Sequence, residues 1–206
     1  MSNKNHLNLP EGEFIQITES DFDEEKRKKE KYQRAIETRK IRPRYSEDLI
    51  KQYKFFRKNI YNPQRVFHPC CDTDISPIKG FPNSEVILMD KDKDVARIME
   101  KNNISNFIHG NVLKHNPKNP YDLVIILNPQ LKSSDLTKHL VSGGYVLANN
   151  WHDNATELLE DENFQNIGTI DFKRFNRPFL AKGDFSKLEP EQWEIYFYVF
   201  QKLNLK

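Results

Sequence analysis

Residues 121–129, YDLVIILNP, constrain the fold more than any other stretch, because they form a continuous apolar run. A strand that is apolar along its whole length is typical of the middle of a parallel sheet covered on both faces. Six other strand-like runs accompany it, at 65–68, 85–90, 106–109, 145–150, 167–172 and 194–202. Helix-like segments alternate with these runs, at 93–101, 134–140 and 154–159. The alternation predicts a doubly wound α/β fold with a mostly parallel, seven-stranded sheet.

Two further helices are predicted before the first strand. One begins near Ser20 and ends at Pro43, and it contains few apolar residues. The other, 47–59, has an apolar face that can dock on the core. We therefore divide the chain into an N-terminal arm, residues 1–45, that is helical or partly disordered, and a Rossmann-like domain, residues 46–206.

The charge of the chain is concentrated at its N-terminal end. Residues 1–25 contain one Lys against seven Asp or Glu, a net charge of −6, whereas residues 26–65 contain fifteen Lys or Arg against four acids, a net charge of +11. Basic residues interleaved with Tyr and Phe can contact the phosphate backbone of a nucleic acid. Charged helices are also often solvated faces without a partner. Both interpretations of residues 26–65 remain open from the sequence.

The composition and the two cysteines argue against membrane segments, disulfide bonds and a metal site. No apolar run approaches the roughly 20 residues that span a bilayer, so we expect no membrane segment. The two cysteines, Cys70 and Cys71, are adjacent and rarely bridge each other, so we expect no disulfide framework and a cytoplasmic location. These cysteines and His68 are too crowded to hold a metal alone, and no second CxxC or HxxxH pattern occurs. We therefore predict no metal site.

Polar motifs follow the predicted strands at the edge where a ligand would bind. In open α/β sheets the ligand lies beyond the carboxyl ends of the strands. HPCCDTD, 68–74, follows the first strand, Asp90 ends the second, HGNV, 109–112, follows the third, and NPQ, 128–130, follows the fourth. An acid at the end of the second strand can accept hydrogen bonds from both hydroxyls of a ribose. An acid at this position, here Asp90, can equally be a turn residue without a ligand.

Seven motifs follow one another along the chain: VFHPCCDTD, VILMD, HGNV, YDLVIILNP, GGYVLANN, IGTIDF and EIYFYVF. In this order they resemble the class I S-adenosylmethionine-dependent methyltransferases over about residues 46–202. The resemblance implies a Rossmann-like methyltransferase fold, S-adenosylmethionine as cofactor and a methyl acceptor of unknown identity. It also implies a set of cofactor-binding residues: His68, Pro69, Cys70, Asp72 and Asp74 around the methionine part, Asp90 on the ribose with Lys91 beside it, Asn111 and Val112 flanking the adenine, and Asn128 facing the methyl group.

The first motif departs from the family pattern, which is an acidic residue followed by three glycines at alternate positions. This chain has no glycine between His68 and Asp74. Since glycine gives the backbone access to positive φ, we expect Cys and Asp to serve here only in a less tight turn. Asp72 or Asp74 either binds the cofactor's amino group or caps a helix that begins at Ser76. If the loop is inactive, the chain is a non-catalytic binding protein with a methyltransferase fold.

Candidate substrate-binding residues lie on the same side of the sheet. Pro129 belongs to an Asn-Pro motif similar to that of methyltransferases acting on planar amino groups, although the aromatic residue of that motif is missing. Asn150, Trp151 and His152 follow the fifth strand, and Trp151 either stacks on a substrate or packs under the next helix. Arg174 and Arg177 lie in a long loop, 173–193, that forms either a lid over an anionic or aromatic substrate or a packed excursion. No catalytic residue is identified, because methyl transfer depends mainly on proximity and orientation.

Overall fold

The computed structural model describes residues 42–127, 129–171, 178–181 and 197–204. Helices and strands, labelled in chain order, are α1 (Glu47–Asn59), β1 (Arg65–Pro69), α2 (Ser76–Gly80), β2 (Glu85–Asp90), α3 (Lys93–Lys101), β3 (Phe107–His109), β4 (Tyr121–Ile126), α4 (Ser133–Thr137), β5 (Leu140–Ala148), α5 (Asn154–Glu160), β6 (Phe164–Asp171), β7 (Phe179–Ala181) and β8 (Phe197–Lys202). The predicted helix from Ser20 to Pro43 lies almost entirely outside the described residues. Within the described ranges, no helix has the length and apolarity needed to cross a membrane.

Helix α1 forms where the sequence predicts it. The Ser46 side chain accepts a hydrogen bond from the Leu49 N–H at 3.3 Å, which caps the first turn. Acidic residues occupy that turn and basic residues occupy the last one, as the helix dipole favours. Ile50, Tyr53 and Phe56 are buried on one face, so α1 docks on the sheet through the apolar stripe that its spacing indicates.

The eight strands form one sheet in the order β3-β2-β1-β4-β5-β8-β6-β7. Strands β1 to β5 pair in parallel, whereas β8 is antiparallel to both β5 and β6. The strand order reverses between β1 and β4, which is the switch point of a doubly wound sheet, and the carboxyl ends of these strands border the ligand crevice of such folds. The α/β fold class is therefore confirmed.

Two details of the sheet differ from the sequence prediction. It has eight strands rather than seven, because three residues of the predicted 173–193 loop form β7 and pair with β6. A strand of three residues is too short for alternating apolar and polar positions to reveal it in the sequence. Strand β5 begins at Leu140, whereas we predicted a helix to that residue and a strand only from Tyr145. Gly143 instead lies within β5 at a positive φ of 76°, inside the irregular register between Tyr121 and Leu123 of β4.

The sheet separates two apolar cores. Alternate residues of β4 belong to different cores, with Leu123 and Ile125 packed on one face and Val124 and Ile126 on the other. All four side chains are completely buried. The continuous apolar run is therefore explained, because a central strand covered on both faces has no solvent side. The rigid centre of the sheet fixes the positions of the loops at its carboxyl edge.

Candidate functional site

A cavity of about 320 Å³ lies at the carboxyl ends of β1, β2, β3 and β4. Six of the predicted site residues line it: Cys70, Asp90, Lys91, Asn111, Val112 and Pro129. Five other lining residues were not predicted: Met89, Gly110, Leu113, Gln130 and Leu131. The missed residues lie one or two positions from predicted ones in the sequence, and their polar or apolar character alone gives no signal for a site. The four motif segments thus meet at one place, as the parallel topology requires.

Asp90 is the charged group best placed to bind a ligand in this cavity. Its Oδ2 accepts a hydrogen bond from the Asp72 N–H at 2.9 Å, and its Oδ1 accepts one from the Asp92 N–H at 3.0 Å. These two bonds fix the orientation of a half-buried carboxylate. A carboxylate has about four lone-pair sites, so each oxygen can still accept one more donor. The arrangement suits two neighbouring hydroxyl groups.

The loop after β3 forms one wall of the cavity. The Asn111 side chain accepts a hydrogen bond from the Leu113 N–H at 2.9 Å and caps a short 3₁₀ helix, Val112–Lys114. Val112 is thereby held buried at the cavity, near Met89 of β2 in the same apolar cluster. The Gly110 N–H donates to the Asp90 carbonyl at 2.9 Å, which ties this wall to the end of β2. The wall is apolar beside a carboxylate, a combination suited to a nucleoside.

The first loop reaches left-handed backbone geometry without glycine. Cys70 has φ of 52° and Asp72 has φ of 49°. Both residues thus adopt the conformation for which glycine is normally selected. The left-handed conformation costs an L-residue about 1–2 kcal/mol, although Asp tolerates it better than most. Other contacts have to offset that cost.

Main-chain contacts on two sides hold this loop in place. The Cys71 N–H donates to the Met89 carbonyl at 3.1 Å. On the other side, the Arg44 N–H donates to the Thr73 carbonyl, and the Ile75 N–H donates to the Arg44 carbonyl, each at 2.9 Å. The segment just before α1 therefore pairs with the loop like a short parallel strand. Nothing in the sequence indicated this contact, since Arg44 lies in the region that we assigned to the N-terminal arm.

The Asp72 side chain is engaged by the same segment. Arg44 Nη2 lies 2.5 Å from Asp72 Oδ2, and the two side chains are 41% and 44% exposed. Asp72 does not line the cavity. Its carboxylate points to Arg44, while its main-chain N–H points to Asp90.

Asp74 lies deeper and binds Ser76, the first residue of α2. Its Oδ1 accepts hydrogen bonds from the N–H of Ser76 at 2.9 Å and from the Ser76 hydroxyl at 2.5 Å. Its Oδ2 has no hydrogen-bond partner among the described residues and lies 3.7 Å from His68 Nε2. Burial alone raises the pKa of Asp74, but the contacts with His68 and Ser76 outweigh burial and lower it. Asp74 is thus a buried carboxylate with one oxygen committed to the helix start.

His68 and Pro69 are buried at the end of β1 and do not line the cavity. His68 Nδ1 lies 3.2 Å from the Ile125 carbonyl of β4. A carbonyl is only an acceptor, so Nδ1 carries a proton and donates it. The imidazole consequently bridges the two central strands at the switch point and faces Asp74 with its other nitrogen.

The two cysteines are poor nucleophiles in this environment. Burial, and secondarily the Asp90 carboxylate, raise the pKa of Cys70 to about 11, although Lys91 partly opposes the shift. Burial likewise raises the pKa of Cys71. The thiolate is the reactive form, so both side chains are neutral thiols near pH 7. Across the described ranges, no group of three or more His, Cys, Asp or Glu residues could hold a metal ion.

We expect Cys70 to resist alkylation in the folded protein. A pKa raised from 9.0 to about 11 leaves roughly one hundredth of the ordinary thiolate fraction at pH 7.5. Iodoacetamide labelling, followed by mass spectrometry, should therefore be slow at pH 7.5, accelerate as the pH approaches 11 and become fast in urea. A Cys71→Ser variant isolates the signal of Cys70. Labelling of this variant at the rate of a free thiol at pH 7.5 would contradict the burial of Cys70.

Comparisons with known proteins show which fold this chain has. No protein-family model matches the sequence, and no curated protein does either. Among solved structures, this chain is similar to the N-methyltransferase NodS from Bradyrhizobium japonicum WM9 in complex with S-adenosyl-L-homocysteine. The TM-score is 0.53 at 11% sequence identity, and the alignment covers 75% of this chain and 86% of that chain. An S-adenosylmethionine-dependent methyltransferase from Clostridium acetobutylicum gives a TM-score of 0.51, 10% identity, and coverage of 77% and 93%. This chain has the methyltransferase fold.

Asn150, Trp151 and His152, which follow β5, lie outside the cavity. Asn150 is buried, and its Oδ1 accepts hydrogen bonds from the N–H and hydroxyl of Thr156 in the first turn of α5 at 3.0 and 3.2 Å. Trp151 is 48% exposed, which rules out complete packing under α5, and His152 is half-buried. None of these three lines the cavity. Asn128, Arg174 and Arg177 lie outside the described residues.

Proposed function

We propose that the protein binds S-adenosylmethionine in the cavity at the carboxyl ends of β1 to β4 and transfers its methyl group to an acceptor molecule. The observation that supports this most is the Asp90 carboxylate, held at the cavity by two main-chain N–H groups with acceptor capacity left on both oxygens. It is the group that a ribose requires at the end of the second strand of this fold.

The order of the strands matches the order of the parts of the cofactor. The sheet order β3-β2-β1-β4 sets the cavity residues in a row: Asn111 and Val112 at β3, Asp90 and Lys91 at β2, Cys70 at β1, and Pro129 after β4. Adenine fits against the apolar wall of Val112 and Met89, the ribose hydroxyls fit Asp90, and the methionine part points to the left-handed loop. The cavity volume of about 320 Å³ is at the lower end of the range for small-molecule pockets.

S-adenosylmethionine, when bound, supplies the electrophilic methyl group. The chain's own residues would orient the nucleoside and keep the methyl group in line with an incoming acceptor, which is the main requirement of such a transfer. Neither cysteine takes part as a nucleophile, since both are neutral thiols near pH 7. The acceptor would approach from the β4–β5 side, near Pro129 and the exposed Trp151.

Calorimetric titration with S-adenosylmethionine and S-adenosylhomocysteine tests this proposal. We expect saturable binding of both, with one site per chain. Binding without methyl transfer to any tested acceptor would favour the non-catalytic alternative, a binding protein with a methyltransferase fold. No heat with either compound, at protein concentrations suited to micromolar affinity, would contradict the proposal.

A further inference from the structure

A loop with two left-handed residues and no glycine needs support from outside. Arg44 supplies it, since its main chain bonds to Thr73 and Ile75, and none of these three residues lines the cavity. Arg44 lies outside the named strands of the sheet, shortly before α1, and forms an isolated parallel bridge with Asp74. The left-handed loop is therefore supported by a residue outside the turn, Arg44.

The Arg44 side chain adds a second link to the same loop. Asp72, Asp74 and Asp90 place three carboxylates in or beside one short turn. The guanidinium of Arg44 pairs with the Asp72 carboxylate at 2.5 Å, and this attraction holds the Asp72 side chain in place. Since the Asp72 N–H donates to Asp90 Oδ2, the position of Asp72 contributes, together with the Asp92 N–H, to the orientation of Asp90.

We propose that Arg44 is a positioning residue for the nucleoside site. It holds Asp72 so that the Asp72 N–H directs the Asp90 carboxylate toward the cavity, although Arg44 does not itself line that cavity. The inference rests on the proposed function, because Asp90 has to bind the cofactor for its orientation to matter.

The expected effect is moderate and depends on salt. Both partners of the ion pair are partly exposed, and such pairs contribute at most about 1 kcal/mol, which corresponds to roughly a fivefold change in affinity. Screening at high ionic strength weakens the contribution further. Lys at position 44 keeps the charge but loses the planar guanidinium, so Arg44→Lys should recover only part of the effect.

Calorimetry with S-adenosylhomocysteine tests the inference in four proteins: wild type, Arg44→Ala, Arg44→Lys and Arg97→Ala. Arg97 is a matched control, because it also pairs with an aspartate, Asp94, but on the exposed side of α3 and away from the cavity. We expect Arg44→Ala to weaken binding about 3- to 5-fold at about 50 mM salt and less at about 500 mM, with Arg44→Lys intermediate and Arg97→Ala unchanged. Arg44→Gln replaces Arg44→Ala if the latter does not fold.

A double-mutant cycle with Asp72→Asn separates positioning from general stability. Asn also tolerates left-handed geometry but has no charge, so the loss of Arg44 should have little effect on affinity in that background. An equal loss with and without Asp72→Asn would overturn the inference, as would an Arg44→Ala protein that unfolds at lower temperature yet binds the ligand as tightly as wild type. A wild-type protein that binds no ligand at all would remove the proposed function and this inference together.

Discussion

Replacing Asp90 with Ala is expected to weaken binding of S-adenosylhomocysteine about 100-fold. The carboxylate has acceptor capacity for two ribose hydroxyls, and each hydrogen bond to a charged group contributes about 1.5 kcal/mol or more. A loss of about 3 kcal/mol corresponds to roughly two orders of magnitude in the dissociation constant. Calorimetry measures this constant, and thermal unfolding of the same samples shows whether the variant is folded.

Two further variants show whether the effect belongs to the Asp90 carboxylate. Asp90→Asn keeps one acceptor oxygen but loses the charge, so we expect it to weaken binding about tenfold, between wild type and Ala. Asp94→Ala removes an exposed carboxylate from α3 that does not line the cavity, and its affinity should equal that of wild type. Equal affinities for wild type and Asp90→Ala would place the ligand elsewhere.

The largest effect on stability is expected from Gly80→Ala, which should lower the free energy of unfolding by about 2–3 kcal/mol. A Cβ atom at Gly80 would lie 2.4 Å from Tyr53 Cβ and 2.8 Å from Tyr53 Cδ2. Tyr53 cannot move aside readily, because it is completely buried and its ring packs against Phe81 and Phe197 with centroids 5.3 and 5.4 Å apart. Helices α1 and α2 would have to separate.

Thermal and urea unfolding measure this change. For a domain of this size, a loss of 2–3 kcal/mol lowers the midpoint of thermal unfolding by about 4–12 °C. Gly110→Ala is the matched control, since a Cβ there meets Met89 Cε at 3.6 Å, an ordinary contact distance. Its stability should stay within about 0.5 kcal/mol of wild type. A Gly80→Ala protein as stable as wild type would contradict the close packing of α1 on α2.

The centre of the fold could be predicted because its sequence signals are strong and local. The apolar run of β4 has no solvent face, and its residues 123–126 are completely buried. Asp90 could be placed for a related reason, since an acid that ends a parallel strand must lie at the carboxyl edge of the sheet. Six predicted residues accordingly meet in one cavity.

The loop after β1 could not be predicted in the same way. Its conformation depends on Arg44, which lies 28 residues before Asp72 and whose partner no periodic pattern reveals. The roles of Asp72 and Asp74 also depend on tertiary contacts, because Asp72 pairs with Arg44, whereas Asp74 binds Ser76 at the start of α2 and faces His68. Strand β7 is too short to leave a pattern of its own. Contacts between side chains that are distant in the sequence leave no local pattern, so only the structure reveals them.

A crystal structure of the protein with S-adenosylhomocysteine tests the central claim most directly. The account predicts adenine against Val112, both ribose hydroxyls within hydrogen-bonding distance of Asp90, and the homocysteine part beside Cys70, with Arg44 still paired to Asp72. A ligand bound away from Asp90, or a cavity that excludes the compound at millimolar concentration, would contradict it.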